Sequence, residues 1–111
     1  MSITPAQLIA PQQLAAAPAV LYTSTNVKTR IDKVSLTNTT ATARLVTLYL
    51  VPSAGAAGAS TTITYQRAVN AGETWNCPDL VGQVLNAGGS IQGNADAATA
   101  VTISAAGVQI S

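Results

Sequence analysis

The side chains that can do acid–base chemistry in this chain are four carboxylates, Asp32, Glu73, Asp79 and Asp96. A glycosidase needs two carboxyl groups roughly 5–10 Å apart across a cleft, with their proton affinities pushed apart. The four acids are scattered along the chain, and their spacing indicates no such pair. We therefore predict no catalytic residue and expect that the protein is not an enzyme.

Nucleophilic and metal chemistry have fewer candidates still. A single cysteine, Cys77, and no histidine cannot form a Ser-His pair, a Cys-His pair or a common structural zinc site. Cys77 has no basic neighbour in sequence to activate its thiol, so we expect a small buried side chain. Asn94 and Asp96 alone are too few oxygen ligands for calcium. No metal and no cofactor are expected.

The charge balance points away from nucleic acid. Five basic and four acidic residues among 111 give a net charge of +1, which provides no basic stripe to neutralise several phosphates. The 21 alanines and 23 serines plus threonines predict a polar but weakly charged surface, which lacks the repulsion that keeps monomers apart. The composition thus favours close contact with other protein.

No apolar run reaches the roughly 20 residues that span a bilayer, so no membrane partner is expected. One cysteine excludes an intramolecular disulfide, and the first 20 residues lack the basic region of a signal peptide. We therefore expect synthesis in a reducing cytoplasm.

The elements that position these residues show the period-two pattern of β-strands. Alternation predicts strands over 20–23, 29–37, 45–50, 62–69, 74–77, 90–94 and 101–110. Turn clusters lie at 38–40, 52–58, 70–73 and 86–89, close to the spacing of roughly 8 to 12 residues found in sandwiches and barrels. The pattern predicts an all-β, antiparallel β-sandwich of seven or eight strands, over residues 19–111. It does not separate jelly-roll from immunoglobulin-like connectivity.

Three details of these strands and turns are specific enough to test. In strand 62–69, Ile63, Tyr65 and Val69 share the predicted inward parity with Arg67, which we expect at a sheet margin or paired with an acid. In strand 101–110 the apolar parity changes at Gly107, which predicts a β-bulge and a bend. Two Asn-Ala-Gly phrases, 70–72 and 86–88, predict turns with glycine at positive φ.

Residues 1–18 differ from the rest and predict an extended N-terminal arm. Prolines at 5, 11 and 18 disfavour helix. The apolar side chains of the arm would be exposed if it were free, so we expect it to lie along its own domain or a neighbouring subunit. The candidate contact residues in the arm are Ile3, Leu8, Ile9 and Leu14.

The segment 28–33 carries three of the five basic residues and is the second candidate interface. Its contact residues are Lys28, Arg30, Asp32 and Lys33. They fit contact with an acidic partner protein and fit equally a solvated strand margin whose charges discourage edge pairing. Asp32 is expected to pair locally or across a subunit boundary. Trp75 is expected to be a core plug or an interface anchor, with a sugar platform as the alternative.

Several phrases together resemble one family. They are Leu21-Tyr22-Thr23, Thr29 to Thr39, Val46 to Ser53, Ala71-Gly72-Glu73-Thr74 and Leu85 to Ile91. Over about residues 20–111 the chain is similar to small all-β virion proteins of tailed bacteriophages, in particular the decoration, or cement, proteins of podovirus-type heads. The motifs are strand and turn patterns, and related phrases occur in phage tail and fibre modules.

The resemblance implies a jelly-roll-like domain, often a homodimer, that attaches to the outside of an assembled shell. It implies a structural protein that binds the major capsid protein and clamps neighbouring capsid subunits, made in the host bacterial cytoplasm and located on the capsid exterior. No catalytic residue is implied. The alternative function is a carbohydrate-binding module of a phage tail or fibre, which would use Trp75 or a tyrosine.

Overall fold

The computed structural model of the chain describes residues 3–111. Within that range it contains nine β-strands and one turn of 3-10 helix, Ala59–Thr61. The strands are β1 Ile3–Gln13, β2 Ala19–Thr23, β3 Lys28–Asn38, β4 Arg44–Val51, β5 Thr62–Val69, β6 Thr74–Asn76, β7 Val84–Leu85, β8 Ser90–Ala95 and β9 Val101–Ile110. The predicted strands are confirmed; β1 and the two-residue β7 were not foreseen.

The strands form two antiparallel sheets packed as a sandwich. One sheet has the order β1-β9-β3-β6, with β7 also paired to β3, and the other has the order β2-β8-β4-β5. β6 and β7 lie on the same side of β3 and behave as one interrupted strand, because the amides of Cys77 and Gly82 donate to the carbonyls of Val34 and Ile31 between them.

The connectivity is that of a jelly roll. With β6 and β7 taken as one strand, every connection except the β4–β5 hairpin passes from one sheet to the other. Each sheet thus interleaves strands from both halves of the chain, as in a double-sheet jelly roll. The predicted all-β, jelly-roll-like sandwich is confirmed, and the immunoglobulin-like alternative is not.

The core lies between the sheets and is filled by the inward parity of each strand. Leu36, Leu48, Ile91 and Ile103 are fully buried, and their removal from water is the main stabilising term. Cys77 is also buried, as expected. β4 lies between β8 and β5 and ends before Pro52.

Both Asn-Ala-Gly turns have the predicted conformation. Gly72 and Gly88 have φ of +72° and +89°, in the region that glycine adopts without steric cost. The Glu73 side chain accepts a hydrogen bond from the Asn70 amide at 2.8 Å, which places Glu73 in a turn, as expected.

The predicted parity of β5 is right at Val69, which is buried, and at Arg67, which pairs with buried Val46, but it is wrong at Tyr65. Thr64 is buried, and Tyr65 is 73% exposed, because one extra residue separates Thr64 from Arg67 relative to the partner strand β4. Gln66, with φ +46°, lies at this irregularity. A bulge of this kind reverses which side chains point inward, and no glycine or asparagine in β5 signals it.

The irregularity predicted at Gly107 exists, but the extra residues belong to the neighbouring strands. β3 has one additional residue, Asp32, opposite Gly107 and Ala106, and β1 has one additional residue, Leu8, opposite Ala106 and Ala105. Within β9, Ala105 is buried on the inner side. The predicted bulge within β9 is therefore wrong: β9 has no extra residue, its side chains keep alternating past Gly107, and Val108 and Ile110 lie on the outer face beside Arg30 and Lys28.

Most of the segment expected to form an arm is strand β1, which pairs antiparallel with β9 over nearly its whole length. Proline is tolerated there because β1 is an edge strand and needs partners on one side only. Leu8, Ile9 and Leu14 are buried in the core at 6%, 1% and 1% exposure. The segment is therefore extended and lies against its own domain.

Candidate interaction surfaces

The outer face of the five-stranded sheet carries the four charged residues of the segment 28–33. Lys28, Arg30, Asp32 and Lys33 are exposed, and the inward residues of β3 between them are buried. Three cations and one carboxylate give this face, which we name the cationic face, a local excess of positive charge. The four residues that the sequence grouped therefore lie together on one exposed face, and their role as contact residues stays a prediction.

One end of the cationic face is apolar. The register places Ile3, Ile110 and Lys28 in one row across β1, β9 and β3. The next row holds Pro5, Val108, Arg30 and Val84. We name these two rows the apolar end.

Two edge residues make the apolar end accessible. Ile3 is 61% exposed and Val84 is 50% exposed. Aliphatic side chains beside lysine and arginine form a surface that an apolar partner with acidic groups would cover. Of the predicted contact residues in the N-terminal segment, Ile3 alone lies here; Leu8, Ile9 and Leu14 are within the core and unavailable to a partner.

Sequence reasoning missed Val84, Val108 and Ile110. The change of apolar parity at Gly107 was interpreted as a bulge, and pairing with β1 and β3 was needed to place Val108 and Ile110 on the outer face beside Ile3 and Lys28. Val84 lies in a strand too short to show alternation.

A shallow depression of about 720 Å³ continues the apolar end along the sheet. Its floor is low because it is lined by small side chains, Ser35 on β3 and Ser104 and Ala106 on β9. Gln7 and Lys33 are among the residues that line it. A partner with a protruding loop would fill this concavity more completely than a partner with a flat surface would.

The cations of this face are only partly neutralised. Arg30 Nε lies 2.9 Å from Asp32 Oδ1, with both side chains about half exposed, which confirms local pairing of Asp32. In water such a pair contributes only about 0–1 kcal/mol. Within residues 3–111 the other ion pair joins Arg44 to Asp96 at 4.0 Å, so Lys28 and Lys33 lack a carboxylate partner in this range.

The outer face of the four-stranded sheet has a different character. Its outward positions include Val20, Tyr49, Gln92 and Asn94, which the register places on neighbouring strands, and Leu45, which is 37% exposed. Tyr49 donates a hydrogen bond to Asn94 at 3.3 Å. We name this surface the neutral face, because these outward side chains carry no charge.

On one side, contacts between β5 and the β6–β7 segment close the sandwich. The guanidinium carbon of Arg67 lies 4.6 Å from the centroid of the Trp75 ring, a cation–π contact. The Thr64 hydroxyl donates to Asp79 Oδ2 at 3.0 Å. Arg67 is thus at a sheet margin as expected, and Trp75 is a half-buried residue packed on the core.

The open edges of both sheets are interrupted. Prolines 5 and 11 lie in β1, the loop 78–82 divides β6 from β7, β5 contains the Gln66 irregularity, and β2 has only five residues. Interruptions of this kind block the addition of a further strand. A partner is therefore expected to bind the faces of the sandwich.

Within residues 3–111 no three His, Cys, Asp or Glu side chains lie close enough together to hold a metal ion. The same part of the chain contains no helix long and apolar enough to cross a membrane.

Comparisons with protein-family models, with curated proteins and with solved structures found no match to this chain.

Proposed function

We propose that the protein is a structural virion protein that binds the outer surface of a bacteriophage capsid and clamps neighbouring major capsid subunits, stabilising the head. The single observation that carries the proposal is the apolar end, where Ile3 and Val84 are exposed beside Lys28 and Arg30. Surfaces that combine exposed aliphatic groups with arginine are typical of protein interfaces. The protein would be made in the host bacterial cytoplasm and would remain on the capsid exterior.

The energetics of many copies favour such a role. At about 25 cal/mol per Å² of apolar area, roughly 400 Å² buried per copy corresponds to about 10 kcal/mol before association costs. A copy that touches two subunits also makes the second contact intramolecular, which raises its effective concentration. Modest contacts repeated over a shell therefore resist internal pressure from packed DNA.

The charges of the cationic face indicate the charge of the surface that it would contact. Lys28 and Lys33 lack carboxylate partners within residues 3–111, so an acidic patch on the capsid subunit would neutralise them. Charge complementarity of this kind speeds encounter and fixes register more than it raises affinity. Binding should weaken as salt concentration rises.

The proposal includes a homodimer that forms through the neutral face. A two-fold axis brings identical patches together, so a patch without charge avoids the repulsion that the cationic face would suffer. An axis along the strands would direct both apolar ends toward the same surface, one on each of two capsid subunits. Sedimentation equilibrium of the purified protein tests this part; a monomer at all concentrations would contradict it.

The capsid contact is tested by co-sedimentation with shells isolated from virions of the phage that encodes the protein. Val84→Glu places a charge in the apolar end and should lower occupancy at least tenfold. Val81→Glu is the matched control, because Val81 is similarly exposed, at 46%, but lies in the loop outside the two rows. Occupancy by the wild type should also raise the temperature at which the shell opens.

Two results would contradict the proposal. Wild-type protein that stays in the supernatant with intact shells would exclude capsid binding. Equal occupancy by Val84→Glu and wild type would exclude the apolar end as the contact.

A further inference from the structure

A second concave surface lies on the side of the sandwich between β5 and the β6–β7 segment, away from the apolar end. Its lining includes Tyr65, Gln66, Arg67, Trp75 and Asp79. We name it the Tyr65 groove. It holds two of the four aromatic residues of the chain and two of its nine charged residues.

The exposure of Tyr65 comes from an unusual backbone feature. The ring is 73% exposed, because the bulge with Gln66 at φ +46° turns Tyr65 outward and Thr64 inward. A non-glycine residue at positive φ inside a strand is uncommon and carries a conformational cost. Bulges are over-represented at binding sites, where they redirect a side chain.

The two charged side chains of the groove are held in place but do not neutralise each other. Arg67 stacks on Trp75, and its Nε donates to the Ala68 carbonyl at 3.1 Å. Asp79 accepts from Thr64. The ion pairs found within residues 3–111 do not include Arg67 or Asp79, so each retains hydrogen-bonding groups for a ligand at little cost in ordering.

We infer that the Tyr65 groove binds a neutral saccharide. The Asp79 carboxylate accepts hydrogen bonds from sugar hydroxyls, the terminal nitrogens of Arg67 donate to sugar oxygens, and the Tyr65 ring packs on the apolar face of the sugar. The charges of Arg67 and Asp79 sum to zero, which favours an uncharged polyhydroxylated ligand over an anion or a cation. This site does not depend on the proposed capsid binding.

The same contacts indicate which aromatic ring of the groove the sugar would stack on. Trp75 is half-buried against the core, and the Arg67 guanidinium lies over its ring. A sugar would have to displace Arg67 to stack on that face of Trp75, whereas the Tyr65 ring is 73% exposed and is the more accessible platform.

The test is a glycan array printed with neutral and acidic oligosaccharides and probed with the labelled, pre-clustered full-length chain. We expect signal on a set of related neutral glycans. Tyr65→Ala and Asp79→Asn should each lower that signal at least tenfold. Both should fold, since Tyr65 is exposed and asparagine keeps an acceptor for Thr64; circular dichroism checks this. Lys33→Gln, on the cationic face, should leave the signal unchanged.

The inference would be overturned by an array without signal for the wild type, by signal confined to acidic glycans, or by signal that survives in both Tyr65→Ala and Asp79→Asn. Loss of signal in Lys33→Gln together with survival in Tyr65→Ala would move the binding to the cationic face and would equally reject the groove.

Discussion

Replacing Ile9 by alanine tests whether the N-terminal segment is part of the folded domain. Ile9 is 1% exposed, whereas Ile3 in the same strand is 61% exposed. Truncation of a buried isoleucine to alanine costs about 2–5 kcal/mol through lost apolar burial and the cavity that remains. We expect Ile9→Ala to lower the free energy of unfolding by about 3 kcal/mol. Ile3→Ala, the matched control, should change it by less than about 0.5 kcal/mol.

Urea denaturation followed by the fluorescence of Trp75, the one tryptophan of the chain, measures both values. Trp75 is half-buried beneath Arg67, so its emission should change on unfolding. A loss of about 3 kcal/mol corresponds to a fall in Tm of roughly 12–24 °C for a domain of this size. Because a dimer makes stability depend on concentration, both variants are compared with the wild type at equal and varied concentrations.

Equal stability of Ile9→Ala and Ile3→Ala would refute the reasoning. It would mean that β1 does not contribute to the core of the isolated chain and is free to lie on a neighbouring subunit. A large loss in both variants would instead show that Ile3 is buried in solution, as in a dimer that uses the apolar end.

Three further substitutions test separate parts of the fold, each measured by thermal and urea denaturation. Gly107→Ala should lower the free energy of unfolding by about 3 kcal/mol, because the added Cβ would overlap a backbone carbonyl of β3. Gly58→Ala is the control, since the space around its Cβ is open, and should change that free energy by less than about 0.5 kcal/mol. Equal effects would reject the close approach of β9 to β3. Asn38→Ala should cost about 2–3 kcal/mol because its buried amide donates at 2.8 and 2.9 Å to carbonyls of two other segments, and an effect no larger than that of exposed Asn70→Ala would contradict it. Thr99→Asn should raise stability by up to about 1 kcal/mol, since Thr99 has φ +57° and asparagine tolerates that region better than a β-branched residue; a lower Tm would count against the conformation.

The sequence was informative where one strand sufficed to define the environment. The alternation over residues 45–50 predicted strand β4, because the side-chain period of a strand is two whatever its neighbours are. Gly72 and Gly88 predicted their turns because positive φ is restricted mainly to glycine.

The sequence was uninformative where the orientation or position of a residue depends on pairing with a neighbouring strand. Tyr65 was assigned to the wrong side, since nothing in the type of Gln66 indicates positive φ. The edge position of β1 makes its prolines compatible with a strand, and that position depends on pairing with β9. For the same reason the apolar end was only half predicted: Lys28 and Arg30 were grouped by sequence, whereas Val84 reaches them through tertiary pairing.

The interrupted edges have a consequence for crowding. When copies are packed densely on a surface or concentrated in solution, their sheet edges come into contact often. An uninterrupted edge strand would allow the sheets of neighbouring copies to pair and grow into fibrils. In this jelly roll the edge strand β1 contains prolines, a loop divides β6 from β7, β5 contains a bulge, and β2 is short. High local density should therefore leave the chain free of amyloid-type assembly, a property suited to a protein displayed in many adjacent copies.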